Sequence, residues 1–173
     1  MSSPAALKPV DGFADPRHAQ PVTSWPEHLE IRALTAADAD VIAEWRYDGA
    51  WRIYDPGVLS TDDGYLAVAG RDGGPLVGYC CGGAEARVPG LAEDPAHLDV
   101  GVGMDPRWVG RGHGSTFGAT VLTFLRKQAD GRGLRAVVQT WNHRSLRLTA
   151  RLGFTPPGHT PASRMDARSS TRS

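Results

Sequence analysis

Between residues 97 and 104 the chain alternates, with Leu98, Val100, Val102 and Met104 on one side and His97, Asp99, Gly101 and Gly103 on the other. A period of two predicts a β-strand, one face of which glycine leaves open to close approach. Pro106 has no N–H to give to a ladder and marks the end of pairing. Gly110, Gly112 and Gly114 follow at every second position, and Phe117, Val121, Phe124 and Leu125 then recur at the spacing of a helix packed on a sheet. A helix opening at Gly112 or Gly114 turns its unpaired N–H groups and positive dipole end toward the glycine turn, which is the arrangement of an anion site.

The pattern extends in both directions. Residues 29–34 alternate as a first strand, and Thr35-Ala36-Ala37-Asp38 has the form of a capping box opening a helix with Val41, Ile42 and Trp45 on one face. Residues 65–70 and 76–83 predict two strands joined by an Asp72-Gly73-Gly74 hairpin turn. Residues 84–96 read as a longer loop and the mobile edge of the site. Asp130-Gly131-Arg132-Gly133 stops the long helix, a strand follows over 134–140, and Asn142 opens a short helix with Leu148 and Leu152 turned inward. After Phe154 only residues 164–167 offer a further short strand. A last strand is therefore shortened, lost or supplied by a partner chain, and the shortened edge leaves room for a homodimer.

Residues 1–27 carry five prolines and no periodicity, and read as an extended or disordered lead-in. The expected organisation is this lead-in, one domain over 28–160 and a short tail over 161–173. A chain of 173 residues that is 40% hydrophobic can bury one normal core. Its 19 basic and 19 acidic residues cancel, which gives no reason to expect a nucleic acid or an anionic membrane as partner. No apolar run reaches the roughly 18 residues of a membrane span, and no signal-peptide core precedes the domain, so a cytoplasmic location is expected. Cys80 and Cys81 are neighbours on opposite faces of a strand, which disfavours a disulfide between them; they read as reduced core residues, or one as lining an acyl pocket. No His or Cys set has metal-ligand spacing, and no metal is expected.

Three phosphate-binding turns can be compared with residues 110–118. A nucleotide-hydrolysing loop needs Gly-Lys-Ser/Thr, and no such tripeptide occurs. A dinucleotide fold could use Gly112, Gly114 and Gly118, but the next strand ends in Thr140, Trp141 and Asn142, with no acid for a ribose. The third pattern is that of the GNAT superfamily of acyl-CoA-dependent N-acyltransferases, which the sequence resembles over residues 29–155. The central motif stands here as Met104-Asp105-Pro106-Arg107-Trp108-Val109-Gly110-Arg111-Gly112-His113-Gly114. Anchored on Pro106, Val109 occupies the usual Gln/Arg position and Gly112 and Gly114 match; a second register starting at Arg107 fits the letters but shifts the spacing. The second motif matches as Ala136-Val137-Val138-Gln139 followed by the stretch from Asn142 to Gly153-Phe154.

The resemblance implies a single α/β (α+β) domain with a mixed, mostly antiparallel sheet. The sheet would be flanked by helices and splayed between the central strand and the Ala136 strand at the acyl-CoA site. It implies transfer of acetyl from acetyl-CoA to a primary amine of a small molecule or peptide. By the same resemblance the backbone of Val102, Gly103 and Met104 pairs with the pantetheine arm. The amides of Val109, Gly110, Arg111, Gly112, His113, Gly114 and Ser115 hold the pyrophosphate, and Asn142 contacts the cofactor arm. The position at which many relatives carry a proton-donating Tyr reads Thr149, a far weaker acid than a phenol.

Asp99 shares the glycine face of the strand and is the candidate general base; the alternative is a surface carboxylate, with Glu85 and Tyr79 as further candidates for base and acid. Trp45, Tyr47, Trp51 and Tyr54 fall within ten residues of one another, interleaved with Arg and Asp. With Tyr79 they form either an aromatic acceptor pocket able to hold a cationic amine or an ordinary core or dimer surface. A catalytically silent acyl-CoA-binding or regulatory module is the alternative function, and an NADP-binding protein a third.

Overall fold

A computed structural model of the chain describes residues 24–156 and the backbone of residues 163–167. The expected lead-in as far as residue 23, and residues 161, 162 and 168–173 of the expected tail, lie outside the described residues.

The elements run β1 (Leu29–Ala33), α1 (Ala36–Ala43), β2 (Leu66–Gly70), β3 (Leu76–Gly82), β4 (His97–Met104), α2 (Gly114–Gln128), β5 (Gly133–Val138), α3 (His143–Arg151), β6 (Phe154–Thr155) and β7 (Ser163–Ala167). They build a seven-stranded sheet in the order β1-β2-β3-β4-β5-β7-β6, in which only β4 and β5 are parallel. The hairpin between β2 and β3 turns through Asp72 at φ 56° and Gly73 at φ 77°, the two left-handed positions that an Asp-Gly pair tolerates. Thr35 and Asp38 close the capping box reciprocally, and Arg32 joins both carboxylate oxygens of Asp38 at 2.6 and 3.0 Å.

Two cores form because strand side chains alternate between the faces of the sheet. On one face Phe117, Val121, Leu122 and Leu125 of α2 bury against Val68, Val77, Cys80, Leu98 and Leu134. Each such side chain contributes about 1.5–3 kcal/mol of transfer free energy. On the other face Leu34, Ala39, Ile42, Trp45 and Ala67 pack together, with Tyr65 and Tyr79 at their edge. Val41, expected on the inner face of α1, is solvent-exposed, because adjacent helix positions are turned about 100° apart and the buried face is that of Asp38, Ala39 and Ile42.

The short strand offered by residues 164–167 is present, and the structure shows where it goes. Residues 163–167, assigned to the tail, form β7, which enters the sheet between β5 and β6 and pairs with β5 over five residues. The strand is supplied by the chain itself. Residues 24–27 also do more than lead in: the Trp25 ring packs against the α2-side core, and Pro26 lies within 3.1 Å of where a Gly70 Cβ would stand. Among the described residues no helix is long and apolar enough to cross a membrane.

Candidate functional site

The parallel ladder between β4 and β5 is three residues long, ending at Asp99 opposite Arg135. β5 pairs with β7 on its other edge from Leu134 to Val138, but beyond Arg135 its edge toward β4 is unpaired, and β4 continues alone on that side to Met104. The strands therefore part where the acyl-CoA arm was expected. Hydrogen-bond phase says which backbone groups face the gap. The Asp105 N–H donates to Val77 C=O at 2.9 Å, so the odd-numbered residues of β4 bond to β3 and the even-numbered ones point away from it. On the other side Gly133 N–H donates to Ala96 C=O at 2.9 Å, which agrees with that phase. Val102 and Met104, beyond the last rung of the ladder, thus present backbone groups to the gap, and the Tyr47 hydroxyl donates to Met104 C=O at 2.7 Å. Gly103, expected among the arm-binding residues, turns its backbone to β3 and is corrected out of that set.

The glycine face of β4 is not open space. A Cβ at Gly103 would stand 2.2 Å from Tyr79 Cε1, and one at Gly101 would stand 2.8 Å from Cys81 Sγ and 3.4 Å from Ala86 Cβ. The chain's own side chains fill that face. Val102, on the other face, is 55% exposed, an apolar side chain left in solvent at the gap.

At the end of β4 the chain makes a 3-10 turn over Pro106–Trp108 and enters the glycine turn. Gly110 and Gly112 have φ of 80° and 89°, a left-handed conformation that makes glycine the fitting residue, and a Cβ at Gly112 would meet nothing within 4 Å. The first bonded amide of α2 is Phe117 N–H to His113 C=O, so the N–H groups of Gly114, Ser115 and Thr116 lie ahead of the helix ladder. No side chain caps this helix. Of the amides expected to hold an anion, Val109 and Arg111 are corrected out: they donate to Pro106 and Trp108 C=O within the turn, each at 3.3 Å. Arg107, the alternative register's cation, is folded back onto Asp105 at 2.6 Å. The donor set of Gly110, Gly112, His113, Gly114, Ser115 and Thr116, with a positive helix end behind it, fits a pyrophosphate, and the backbone of the gap fits an amide-bearing arm.

The aromatic segment divides. Trp45 is only 7% exposed within the α1-side core and is corrected from acceptor wall to core residue; it lies 6.1 Å from Tyr79, which lies 6.0 Å from Tyr65. Burial, then the fields of Cys81 and Tyr65, pushes the Tyr79 phenol up to about 12. Burial also raises Tyr47, with Tyr79, Asp105 and Asp55 adding to the effect. Trp51 and Tyr54 sit on a 3-10 turn over Gly49–Tyr54 that reaches the start of α3. Trp51 meets Trp141 edge-on at 6.1 Å, and Tyr54 lies 6.0 Å from Trp141. Asn142 is buried; its Oδ1 caps α3 through Ser145 N–H at 3.1 Å, and its Nδ2 donates to the Tyr54 hydroxyl at 3.2 Å.

Asp99 has another occupation than base. It is 3% exposed, and Arg135, itself 2% exposed, donates to both its oxygens, through Nε to Oδ1 and through Nη2 to Oδ2 at 2.8 Å. Arg87 Nε adds a further bond at 3.0 Å. Burial alone would raise this carboxyl, but the Arg135 and Arg87 hydrogen bonds outweigh it and hold it below the usual carboxylate range. A carboxylate so held is a poor proton acceptor. The same arginines anchor the 84–96 loop, since Arg135 also donates to Ala92 C=O at 2.9 Å; the expected mobile edge is tied to the sheet. Glu85, exposed on the 3-10 turn Gly83–Ala86, is near enough for its charge to raise Tyr65 and Cys81. The Thr149 hydroxyl donates to Ser145 and Leu146 C=O at 3.0 Å, within its own helix. Among the described residues no three His, Cys, Asp or Glu side chains converge as a metal site.

Two site residues escaped the sequence reading. Arg144 places its guanidinium 4.9 Å over the Trp51 ring and 3.9 Å from where a Gly110 Cβ would stand. Trp25 stacks on His113 of the glycine turn at 4.2 Å and 2°, with Trp108 edge-on to both. Neither belongs to a periodic pattern; Arg144 stands two residues after Asn142, the only local signal for it.

The sequence profile of the acetyltransferase (GNAT) domain matches residues 28–155. No curated protein matches the sequence. Among solved structures, an aminoglycoside acetyltransferase in complex with coenzyme A is 16% identical, covering 82% of this chain and 95% of its own, with a TM-score of 0.63. A spermidine N-acetyltransferase chimera from Vibrio cholerae and hSSAT is 16% identical, covering 81% and 95%, at 0.61. A GNAT-family acetyltransferase from Bacillus anthracis is 19% identical, covering 82% and 93%, at 0.57. At these identities the likeness is one of fold.

Proposed function

The chain belongs to the GNAT acetyltransferase family, and from that membership we propose that it transfers the acetyl group of acetyl-CoA to a primary amine of a small molecule or peptide. The observation that carries the reading is the parting of β4 from β5 after Asp99, beside a glycine turn whose free amides open α2. Bound acetyl-CoA supplies an acyl thioester: the amine nitrogen forms a bond to the carbonyl carbon, the carbon–sulfur bond breaks, and the thiolate takes up a proton.

The chain's own residues have three tasks around that chemistry. The amides of Val102 and Met104 orient the arm and offer donors where negative charge develops on oxygen. Gly110, Gly112 and the first amides of α2 hold the anionic end. Glu85 is the carboxylate on the acceptor side, since Ala86 beside it lies against Gly101, and it is our candidate for relieving the incoming ammonium of its proton. Solved neighbours include an aminoglycoside acetyltransferase and a spermidine N-acetyltransferase, which supports an amine acceptor of that general kind.

The Thr149 hydroxyl, bonded within its helix, favours one second reading, a catalytically silent acyl-CoA-binding module. Calorimetric titration with acetyl-CoA, followed by mass spectrometry of a panel of polyamines, aminoglycosides and peptides, separates the two. Binding with a product heavier by about 42 Da, an acetyl group in place of one amine hydrogen, supports transfer. Binding without product on any amine supports the silent module, and absence of binding removes both.

A further inference from the structure

The segment Gly49–Tyr54 reaches across the site and is fastened to the start of α3 by contacts of different kinds: Asn142 to the Tyr54 hydroxyl, Trp141 to Trp51 and Tyr54, and Arg144 to Trp51. The strap is not fully satisfied in this arrangement. Trp51 Nε1 is enclosed with no acceptor, and an enclosed donor left unpaired costs about 1–3 kcal/mol. The stacking partners of Trp51 must offset that cost for the strap to stay docked.

Arg144 is the partner whose second side faces the glycine turn. Its Cζ and Nη2 lie 3.9 Å from where a Gly110 Cβ would stand, while its Cζ is 4.9 Å from the Trp51 ring. Arg32, Arg87, Arg107 and Arg135 are each bound to carboxylates, whereas Arg144 has no carboxylate partner among the described residues. A guanidinium stacked by its face keeps its N–H edge free for phosphate oxygens, so the two contacts are compatible. The turn itself offers backbone dipoles, a helix end worth about half a charge, and Arg111, whose guanidinium lies 6.0 Å over the Trp108 ring.

Resting on the acyl-CoA reading above, we propose that Arg144 is a clasp shared by the cofactor's pyrophosphate and the Trp51 strap. Cofactor binding fixes Arg144, Arg144 steadies Trp51, and the wall of the acceptor site, already docked through Asn142 and Trp141, is held more firmly when the cofactor is in place. Coupling of this kind is reciprocal, so a strap without Trp51 binds the cofactor less tightly.

The test is the Kd of coenzyme A, by calorimetry, for the wild type, Arg144→Lys, Arg144→Ala, Trp51→Ala and the Arg144→Ala/Trp51→Ala double variant, with thermal unfolding of each as a check on folding. Arg144 is exposed, so its variants are expected to unfold with the wild type. Loss of a charge-assisted bond predicts affinity about tenfold or more weaker in Arg144→Ala, with Arg144→Lys between the two. Trp51→Ala is expected to weaken binding as well, and the double variant to bind no worse than Arg144→Ala within about twofold. An unchanged Kd in Arg144→Ala, or single effects that multiply in the double variant, overturns the clasp while leaving the acyl-CoA reading standing. A wild type that binds no coenzyme A overturns the reading and the clasp with it.

Discussion

Asp99 and Arg135 are register partners on the last rung of the β4–β5 ladder, and the same two residues are joined side chain to side chain through both carboxylate oxygens. The gap between the strands therefore starts where a buried, two-bond ion pair pins them together. Arg87 completes the arrangement from the loop before β4. The pair sets where the sheet splits, and so where a ligand arm can enter.

Removing one partner leaves the other charge buried. Asp99→Ala is expected to destabilise the protein by about 3–5 kcal/mol, and an Asp99→Leu/Arg135→Leu double variant to recover much of that loss. Urea unfolding measures both. A kcat loss in Asp99→Ala at unchanged stability would instead restore Asp99 as the base.

The acid limb of stability follows from the same pairs. Asp38 and Asp99 are each raised by burial, but hydrogen bonds, from Arg32 and Thr35 to the first and from Arg135 and Arg87 to the second, hold them below their ordinary values. A depressed folded value means the stabilisation is complete above the unfolded value of about 3.9 and drains as pH falls through the lower folded values. Thermal midpoints should be insensitive to these two groups from neutrality to about pH 5 and fall below about pH 4. Asp99→Asn should flatten that fall while lowering the midpoint at neutral pH.

Gly112 and Gly118 are glycines for different reasons. At Gly112 the backbone is left-handed in open space, whereas a Cβ at Gly118 would stand 2.5 Å from Cδ1 of Leu152, the residue that closes α3. Gly112→Ala should cost about 1–2 kcal/mol through its backbone, and Gly118→Ala about 1–3 kcal/mol through overpacking. Only Gly112→Glu should abolish the rise in midpoint that acetyl-CoA produces, a rise worth about 2.7 kcal/mol at a hundredfold excess over Kd. Retention of the full rise in Gly112→Glu would separate the turn from the cofactor.

Glu85→Gln should lower kcat at neutral pH by about a hundredfold or more if its carboxylate takes the amine's proton, with the thermal midpoint unchanged because the side chain is exposed. The deficit should shrink as pH approaches the amine's own pKa. A pH-independent deficit, or none, assigns proton removal elsewhere.

Cys80 and Cys81 are buried and free, and burial foremost pushes their thiols up to about 12 and about 11. Disulfide exchange needs thiolate. Native protein at pH 8 should therefore leave Ellman's reagent almost unchanged until denaturant is added, and rapid native release of either thiol would contradict this burial.

Several features can be read along the chain because the interactions that make them are local. The alternation of 97–104 is β4, Thr35 and Asp38 form their box three residues apart, and Asp72-Gly73 takes the turn its backbone permits. The two motifs flanking the gap also stand in the order that the family resemblance requires. The C-terminal strand could be read only as a possibility over residues 164–167, without its place in the sheet. Five residues carry too short a pattern to name their partners, and residues 163–167 take their place from the edges of β5 and β6 between which they lie.

The site divides along the same line. Periodicity and glycine spacing, read from sequence alone, place a strand, a turn and a helix in succession and put free amides at the junction. What occupies the space around that junction depends on residues far apart in the chain: Arg135 reaches Asp99 across 36 positions, Tyr47 reaches Met104 across 57, and Tyr54 meets Asn142 across 88. Backbone preference acts over a few residues and is written in their order. Charge pairing, ring contact and the filling of a glycine face act through space and take their partners from whatever the folded sheet brings near. That is why Asp99 is a buried ion-pair partner in the structure and why Arg144 stands beside a glycine turn that lies more than thirty residues earlier in the chain.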